Sequence, residues 1–220
     1  VYIRKNQGIS SSLNYAVKKI KTEYFLQISP DVKFDFKELN VFFDVAKKLN
    51  NRFSALGPRF LNVKKKSHRQ IRSYLSIGSI ASIHGSFMFI NKKRFKEIGK
   101  FDENFFLYFE ETDYCKRALD IGLKAYQINK IKVKTQGRTV KIINKIEKKK
   151  LSNLLIWHFI WSKYYFTKKN YGKIISLIMF IPILIRTISK IFYYKLINNN
   201  KYRTKYNYRL HGLMASINGK

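Results

Sequence analysis

The chain has 220 residues, with 45 Lys and Arg against 13 Asp and Glu and a formal net charge of +32. Its 45% hydrophobic content excludes a wholly disordered protein, and its length supports one sizeable core with an appended segment. A single cysteine, Cys115, excludes an internal disulfide framework and a cysteine-cluster zinc site, and it fits a reducing compartment. The charge calls for an anionic partner: nucleic acid, an acidic membrane leaflet or a phosphorylated substrate. The lysines are spread along the chain with Ile and Asn, so part of the charge is compositional bias.

Val1 is not a start methionine, and the first residues lack the apolar core and cleavage site of a signal peptide, so an N-terminally truncated chain is expected. Gln7–Ser12 reads as a Gly- and Ser-rich turn before a helix over Leu13–Lys21, where Leu13, Ala16, Val17 and Ile20 recur at helical spacing. Tyr24–Ile28 reads as a short buried strand. Turn, helix and strand together form the second half of a βαβ unit. Ser29-Pro30-Asp31 follows at the strand's carboxyl end, where α/β proteins open a ligand crevice, so Asp31 is either a plain turn residue or a metal ligand.

Asp35 and Glu38 fit a capping box opening an amphipathic helix through Leu49, with Phe42, Val45 and Leu49 facing the core. Phe53–Phe60 reads as a strand running into a Gly-Pro turn. The run Lys64–Arg69 is a solvated basic loop or, alternatively, a contact for an anionic acceptor. Ile83–Ile90 reads as a buried strand entered through His84-Gly85-Ser86, and Lys92–Ile98 as a short helix closed by Gly99. His84 is a structural strand-start residue or a ligand contact.

From Gly99 to Arg117 the chain collects five of its acids: Asp102, Glu103, Glu110, Glu111 and Asp113. Phe105, Phe106, Tyr108 and Phe109 lie between them, an aromatic wall expected to set Glu110 and Glu111 at the mouth of an apolar pocket. Carboxylates so placed serve as bases or hold a divalent cation. Equally, Glu110, Glu111 and Asp113 suit the first turn of a helix running to Leu119, where acids complement the dipole. Lys124–Lys134 alternates as a plausible strand pair. Beyond it, Leu151–Phe166 is aromatic, and Ile174–Ile185 is apolar for only a dozen residues before Arg186. A spanning helix needs roughly 20 apolar residues. An amphipathic helix in the headgroup region of an anionic membrane is therefore expected, against the alternative of a helix packed on protein. Asn198–Asn200 breaks the pattern before a short terminal helix.

The run from Phe101 to Ala118, Phe-Asp-Glu-Asn-Phe-Phe-Leu-Tyr-Phe-Glu-Glu-Thr-Asp-Tyr-Cys-Lys-Arg-Ala, resembles the acceptor-side signature of family 2 glycosyltransferases, in particular the bacterial rhamnosyltransferase-like branch. That resemblance implies a GT-A fold, an α/β domain with a mixed, mostly parallel sheet flanked by helices, here over 1–150, with a helical membrane-associating tail over 151–220. It implies Glu111 as general base, where many members carry Asp, with Glu110 and Asp113 in support. Asn6, Gly8 and Asn14 match the family's donor-binding pattern, and His84-Gly85-Ser86 loosely matches the border of the sugar site. Asp31 is the retained acid of the metal-binding Asp-x-Asp motif, whose first position is Ser29. In the family's Val-x-His-x-Gly-x-Ser pattern, Thr135 replaces the His ahead of Gly137, Arg138 and Thr139. Two ligands are thus lost, so a divalent cation, Mg or Mn, is expected to be weakly held, with Arg138 as an alternative source of positive charge. Tyr165–Gly172 resembles a segment that follows the catalytic domain in this branch.

The function implied is inverting transfer of a sugar from a nucleotide-sugar donor to a glycan or lipid-linked acceptor. The setting is cell-surface polysaccharide synthesis, peripheral to the inner face of the plasma membrane in the cytoplasm. Two rivals remain at this level: an inactive, membrane-associated scaffold derived from such an enzyme, and a basic nucleic-acid-binding protein. Nucleic acid is not expected as a partner, because clustered acids would repel a phosphate backbone and no recognisable nucleic-acid motif is present.

Overall fold

The computed structural model describes residues 5–62, 70–135 and 144–219, and the chain forms two compact units. The first takes Val1–Asn104 with Glu110–Val140, the second Phe105–Phe109 with Lys141–Lys220. The basic run 64–69 lies outside the described residues, as do Gly137, Arg138 and Thr139.

The first unit is built around strand β5, Phe87–Asn91, every residue of which is buried. A strand covered on both faces reads as a continuous apolar run, and its alternation serves two cores at once. Phe87 and Phe89 point into a cluster with Phe42, Ala46, Leu56, Ile128 and Ile131. Met88 and Ile90 point the other way, with Phe25, Phe95, Tyr114, Cys115 and Ala118. Helix α2, Leu39–Lys48, covers the first face, and its Phe42 ring stacks on Phe87 and Phe89 at 5.3 and 5.4 Å. Helices α1 (Ile9–Lys19), α3 (Lys92–Ile98) and α4 (Glu110–Asp120) supply the second.

The sheet runs in the order β1 (Tyr24–Ile28), β5, β3 (Leu56–Phe60), β6 (Ala125–Thr135), β2 (Val32–Lys33), and β4 (Ile77–Ile80) also pairs with β6. The α/β class and mixed sheet are as expected, but the sheet is not mostly parallel. Among these pairings only β3 with β6 is parallel. The antiparallel register sets Phe25 opposite Ile90, Leu26 opposite Phe89 and Ile28 opposite Phe87. Each pair thereby shares a core face, with no crossover helix needed.

Several expected boundaries also move. Helix α1 starts at Ile9, inside the expected turn. Tyr24–Ile28 is only partly buried, with Phe25 alone fully inside. Gly57-Pro58 lies within β3 and not in a turn; a Cβ on Gly57 would sit 2.5 Å from Ile83 Cγ2, so glycine is there for close approach. Pro58 falls where the register against β6 jumps from Ile128 to Lys132, a position that tolerates a missing N–H. The expected strand pair over 124–134 is the single long strand β6. Ile83–Ser86 precede β5 as a turn. Asp35 caps the 3-10 turn Phe36–Glu38 by accepting from Lys37 N–H, 3.0 Å, ahead of α2.

The second unit is helical: α5 (Lys145–Tyr171), α6 (Lys173–Leu196) and α7 (Asn200–Ile217) pack around Ile160, Tyr164, Phe180 and Leu213. The terminal helix is 18 residues, longer than expected, and the break before it holds with Asn198 at φ 51°. Gly212 allows α5 and α7 to close: a Cβ there would lie 2.6 Å from the Trp157 carbonyl oxygen. Helix α6 has 24 residues, and an 18-residue stretch of it has a mean hydropathy of 2.0, so by length and composition it is long and apolar enough to cross a membrane. The expectation that this segment is too short to do so is therefore corrected. The helix continues past Arg186 because Ile188, Ile191 and Phe192 keep it apolar.

Candidate active site

Of the five acids in the 99–117 stretch, three are held in local structure. Asp102 Oδ1 accepts from Asn104 N–H at 3.0 Å and from its side-chain amide at 2.9 Å. Glu103 accepts from Asn14 Nδ2 at 2.9 Å. Asp113, fully buried, pairs with Arg117 Nε at 2.9 Å, and that guanidinium also donates to the carbonyls of Ile98 (2.7 Å) and Lys100 (2.8 Å). Asp113 is expected as a supporting catalytic acid; through Arg117 it ties α4 to the loop after α3.

Glu110 and Glu111 are both buried on the first turn of α4, where the helix dipole favours carboxylates. They lie against Gly85. A Cβ built there would meet Glu110 Oε1 at 3.4 Å and the Glu111 side chain at 3.6 Å. Thr112 Oγ1 donates to Glu111 Oε1 at 3.2 Å. The turn 84–86 that carries Gly85 is fixed on both sides. His84 Nδ1 accepts from Ser86 N–H at 3.2 Å while its ring packs on Phe60, centroids 4.6 Å apart. Ser29 N–H donates to Ser86 O at 2.9 Å. His84 therefore shapes the turn.

Gln27 was missed. It lies on β1, donates its amide to the Gly85 carbonyl, and keeps Oε1 buried and unpartnered among the described residues. Its signal was a lone amide in the apolar run Tyr24–Ile28. A buried acceptor on the Gly85 turn is suited to a ligand hydroxyl.

The turn through Asp31 closes with Val32 N–H donating to Ser29 O at 3.0 Å. Val32 pairs with Thr135 across β2 and β6, so Asp31 and Thr135 are brought to one place although 104 positions separate them in sequence. Among the described residues no group of three His, Cys, Asp or Glu side chains could hold a metal ion. Asp31 supplies one hard oxygen donor. That set fits a magnesium- or manganese-class ion held chiefly by a substrate's own phosphates, and does not fit a dedicated cage.

The three residues expected to bind the donor from the N-terminal part divide. Asn6 Oδ1 accepts from Gly8 N–H at 3.0 Å, and Gly8, left-handed at φ 90°, caps α1. They shape a helix start, a place that favours anions. Asn14 instead is buried and bonds Phe101 through both ends of its amide, donating to the carbonyl at 2.8 Å and accepting from the N–H at 3.1 Å. It braces the loop that leads to the acids.

The aromatic wall has a different use from the one expected. Phe105 packs on Tyr165, Phe106 stacks on His158 at 4.8 Å, Tyr108 meets Phe159, and Phe109 meets Phe159 and Phe166. Ser162 Oγ donates to Leu107 O at 2.8 Å. The rings dock on α5 because residues 158, 159, 162, 165 and 166 fall on one helical stripe. Tyr108 and Phe109 are left-handed, φ 70° and 69°, a conformation costing bulky residues about 1–3 kcal/mol each. Two such residues directly before Glu110 mark the start of α4 as a strained, over-determined place.

No family model matches the chain. It is 26% identical over 129 residues to the low-salt glycan biosynthesis hexosyltransferase Agl10 of Haloferax volcanii, covering 50% of this chain and 41% of that protein. To an uncharacterised glycosyltransferase of Rickettsia typhi it is 28% identical over 116 residues, 47% of this chain and 36% of that protein. The chain thus spans well under half the length of these curated relatives. In fold it is similar to the mannosyltransferase PcManGT of Pyrobaculum calidifontis, solved with GDP-Man and Mn2+. The TM-score is 0.51 with 11% identity, over 97% of this chain and 67% of that one. The chain therefore has a glycosyltransferase-like α/β fold and glycosyltransferases among its relatives.

Proposed function

We propose that this chain is a glycosyltransferase that moves a hexose from a nucleotide-sugar donor to a hydroxyl of a glycan or lipid-linked acceptor, with inversion. The observation that carries the reading is the buried Glu110–Glu111 pair set against the backbone of Gly85, in a fold shared with a sugar-nucleotide enzyme. A rhamnosyl donor, family 2 membership and a role in bacterial surface polysaccharide synthesis rest on the signature from Phe101 to Ala118 alone.

An acceptor hydroxyl is a weak nucleophile at neutral pH. Glu111 takes its proton as the bond to the anomeric carbon forms, and the nucleoside diphosphate leaves from the opposite face. Glu110 and Gln27 orient the sugar or the acceptor. The start of α1, shaped by Asn6 and Gly8, receives negative charge. Asp31 would hold a divalent cation, which supplies charge neutralisation for the leaving diphosphate. The same reading places the protein in the cytoplasm at the inner face of the plasma membrane, where lipid-linked acceptors and an anionic surface occur together.

The test is Glu111→Gln. Transfer should fall by roughly 10²-fold or more, with donor binding retained, as expected for loss of a general base. Unchanged turnover sinks the assignment. Donor binding without transfer under any divalent cation, in the wild-type chain, would favour the inactive scaffold.

A further inference from the structure

Helix α6 is apolar on both faces, with Phe180, Ile183 and Leu184 on the side packed into the helical core. Its polar Ser176 and Thr187 are buried with Phe180 against α5 and α7. On the opposite face Ile174, Ile178, Ile181, Ile185, Ile188 and Phe192 recur at helical spacing and are each half or more exposed, Ile174 at 75%. They form an apolar strip about 27 Å long at 1.5 Å per residue, far beyond the scattered exposed side chains of ordinary surfaces.

Three occupants could cover such a strip. A second copy would bring together two chains each of +32, so like charges oppose that pairing. A bilayer crossed end to end is permitted by length. It would, however, place Arg186 near the membrane midplane, at about 2.5–3.5 kcal/mol on insertion scales. It would also draw in α7, whose Tyr202 and Tyr206 stack on Tyr194 of α6 and which carries Lys201, Arg203 and Lys205. The third occupant is a bilayer surface. The same helix carries Lys173, Arg186, Lys190 and Lys195, of which Lys195 stands beside the strip and Lys173 and Arg186 further round the helix, and Lys190 lies 5.2 Å from the ring centre of half-exposed Tyr193.

We propose that the exposed face of α6 is seated in the interfacial layer of an anionic lipid bilayer, with the helix parallel to the membrane plane. This deepens the membrane part of the reading above by naming the face and its orientation. The helix's positive charge selects acidic headgroups, and the isoleucines supply the buried apolar area.

The experiment uses the full chain and needs no catalysis, so its failure is distinct from a failure of sugar transfer. Sedimentation with phosphatidylcholine vesicles containing phosphatidylglycerol should carry the protein down, and pure phosphatidylcholine should not. Ile178→Glu combined with Ile185→Glu, checked by circular dichroism for retained helix, should weaken that binding by roughly tenfold or more. For orientation, Ile178→Cys, Ile185→Cys and Phe192→Cys are each labelled with a fluorophore and read with depth-dependent lipid quenchers. Equal, shallow depth at all three supports the proposal. A deep position at Ile185 with shallow ends means a crossing helix and overturns it, as does absence of binding to the acidic vesicles. Labels buried in a dimer without lipid overturn it as well.

Discussion

Replacing Gly85 by alanine separates a residue kept small for its ligand from one kept small for packing. Its backbone is not left-handed, so alanine adopts it without strain. The added methyl would stand 3.4 Å from Glu110 Oε1 and 3.6–3.7 Å from Glu111 carbons, ordinary contact apart from the first, which is at its limit. Folding should therefore stay within about 1 kcal/mol of wild type, with a small gain available from the stiffer unfolded chain. Turnover should fall sharply, because the methyl fills the space over the two carboxylates, and a misplacement of about 1 Å costs on the order of 10²-fold. Gly57→Ala is the control. There the Cβ meets Ile83 Cγ2 at 2.5 Å and the Phe87 carbonyl at 3.3 Å, so the core must shift, at about 1–3 kcal/mol. Urea unfolding followed by circular dichroism gives the stabilities, and release of nucleoside diphosphate gives the turnover. Full activity in Gly85→Ala, or a loss of stability as large as in Gly57→Ala, would refute the placement of substrate over Glu110 and Glu111.

Arg117→Met should cost about 3–5 kcal/mol, since it leaves the buried Asp113 carboxylate without its cation; Asp113→Asn together with Arg117→Met should recover part of that in the same urea titration. Gly212→Ala should destabilise the helical unit by about 1–3 kcal/mol, read as an earlier loss of tryptophan fluorescence from Trp157 and Trp161, because the methyl collides with the Trp157 carbonyl. Burial lowers the pKa of His158, which stacks on Phe106. As pH falls, the unfolded chain takes up that proton first, near its ordinary pKa of about 6.5. The neutral ring's contribution is thus complete above that value and declines as pH drops below it towards the lower folded pKa. His158→Phe should flatten the dependence of helical-unit stability on pH below about 6.5; an unchanged slope counts against a half-buried neutral imidazole.

Much of the site could be read from local chemistry. Lys92–Ile98 is a helix closed by Gly99, and Glu110, Glu111 and Asp113 open a helix, because caps and dipoles act within one turn. The long-range neighbours of these acids could not be read so: Asn14 reaches across 89 positions to Glu103, and Gly85 meets Glu110 from another element. Strand direction failed for a similar reason. A period of two says which face a side chain takes and nothing about whether its neighbour runs alongside or opposite. The Gly-Pro pair misled because glycine answers both to turns and to crowding, and only the position of Ile83 tells them apart. Similarly, Phe105–Phe109 beside two glutamates suggested a pocket wall, whereas the stripe that receives those rings lies some fifty residues downstream, on α5.

That borrowing of Phe105–Phe109 makes the two units inseparable as genetic modules. A truncation after residue 140 would look like a clean excision of the helical tail. It would instead leave Phe105, Phe106, Tyr108 and Phe109 without the surface that receives them, and would remove what holds two left-handed aromatic residues in place one step before Glu110. Selection on the tail's surface is therefore also selection on the segment that leads into Glu110, and the tail cannot be exchanged for an unrelated helical segment unless the replacement offers the same aromatic stripe.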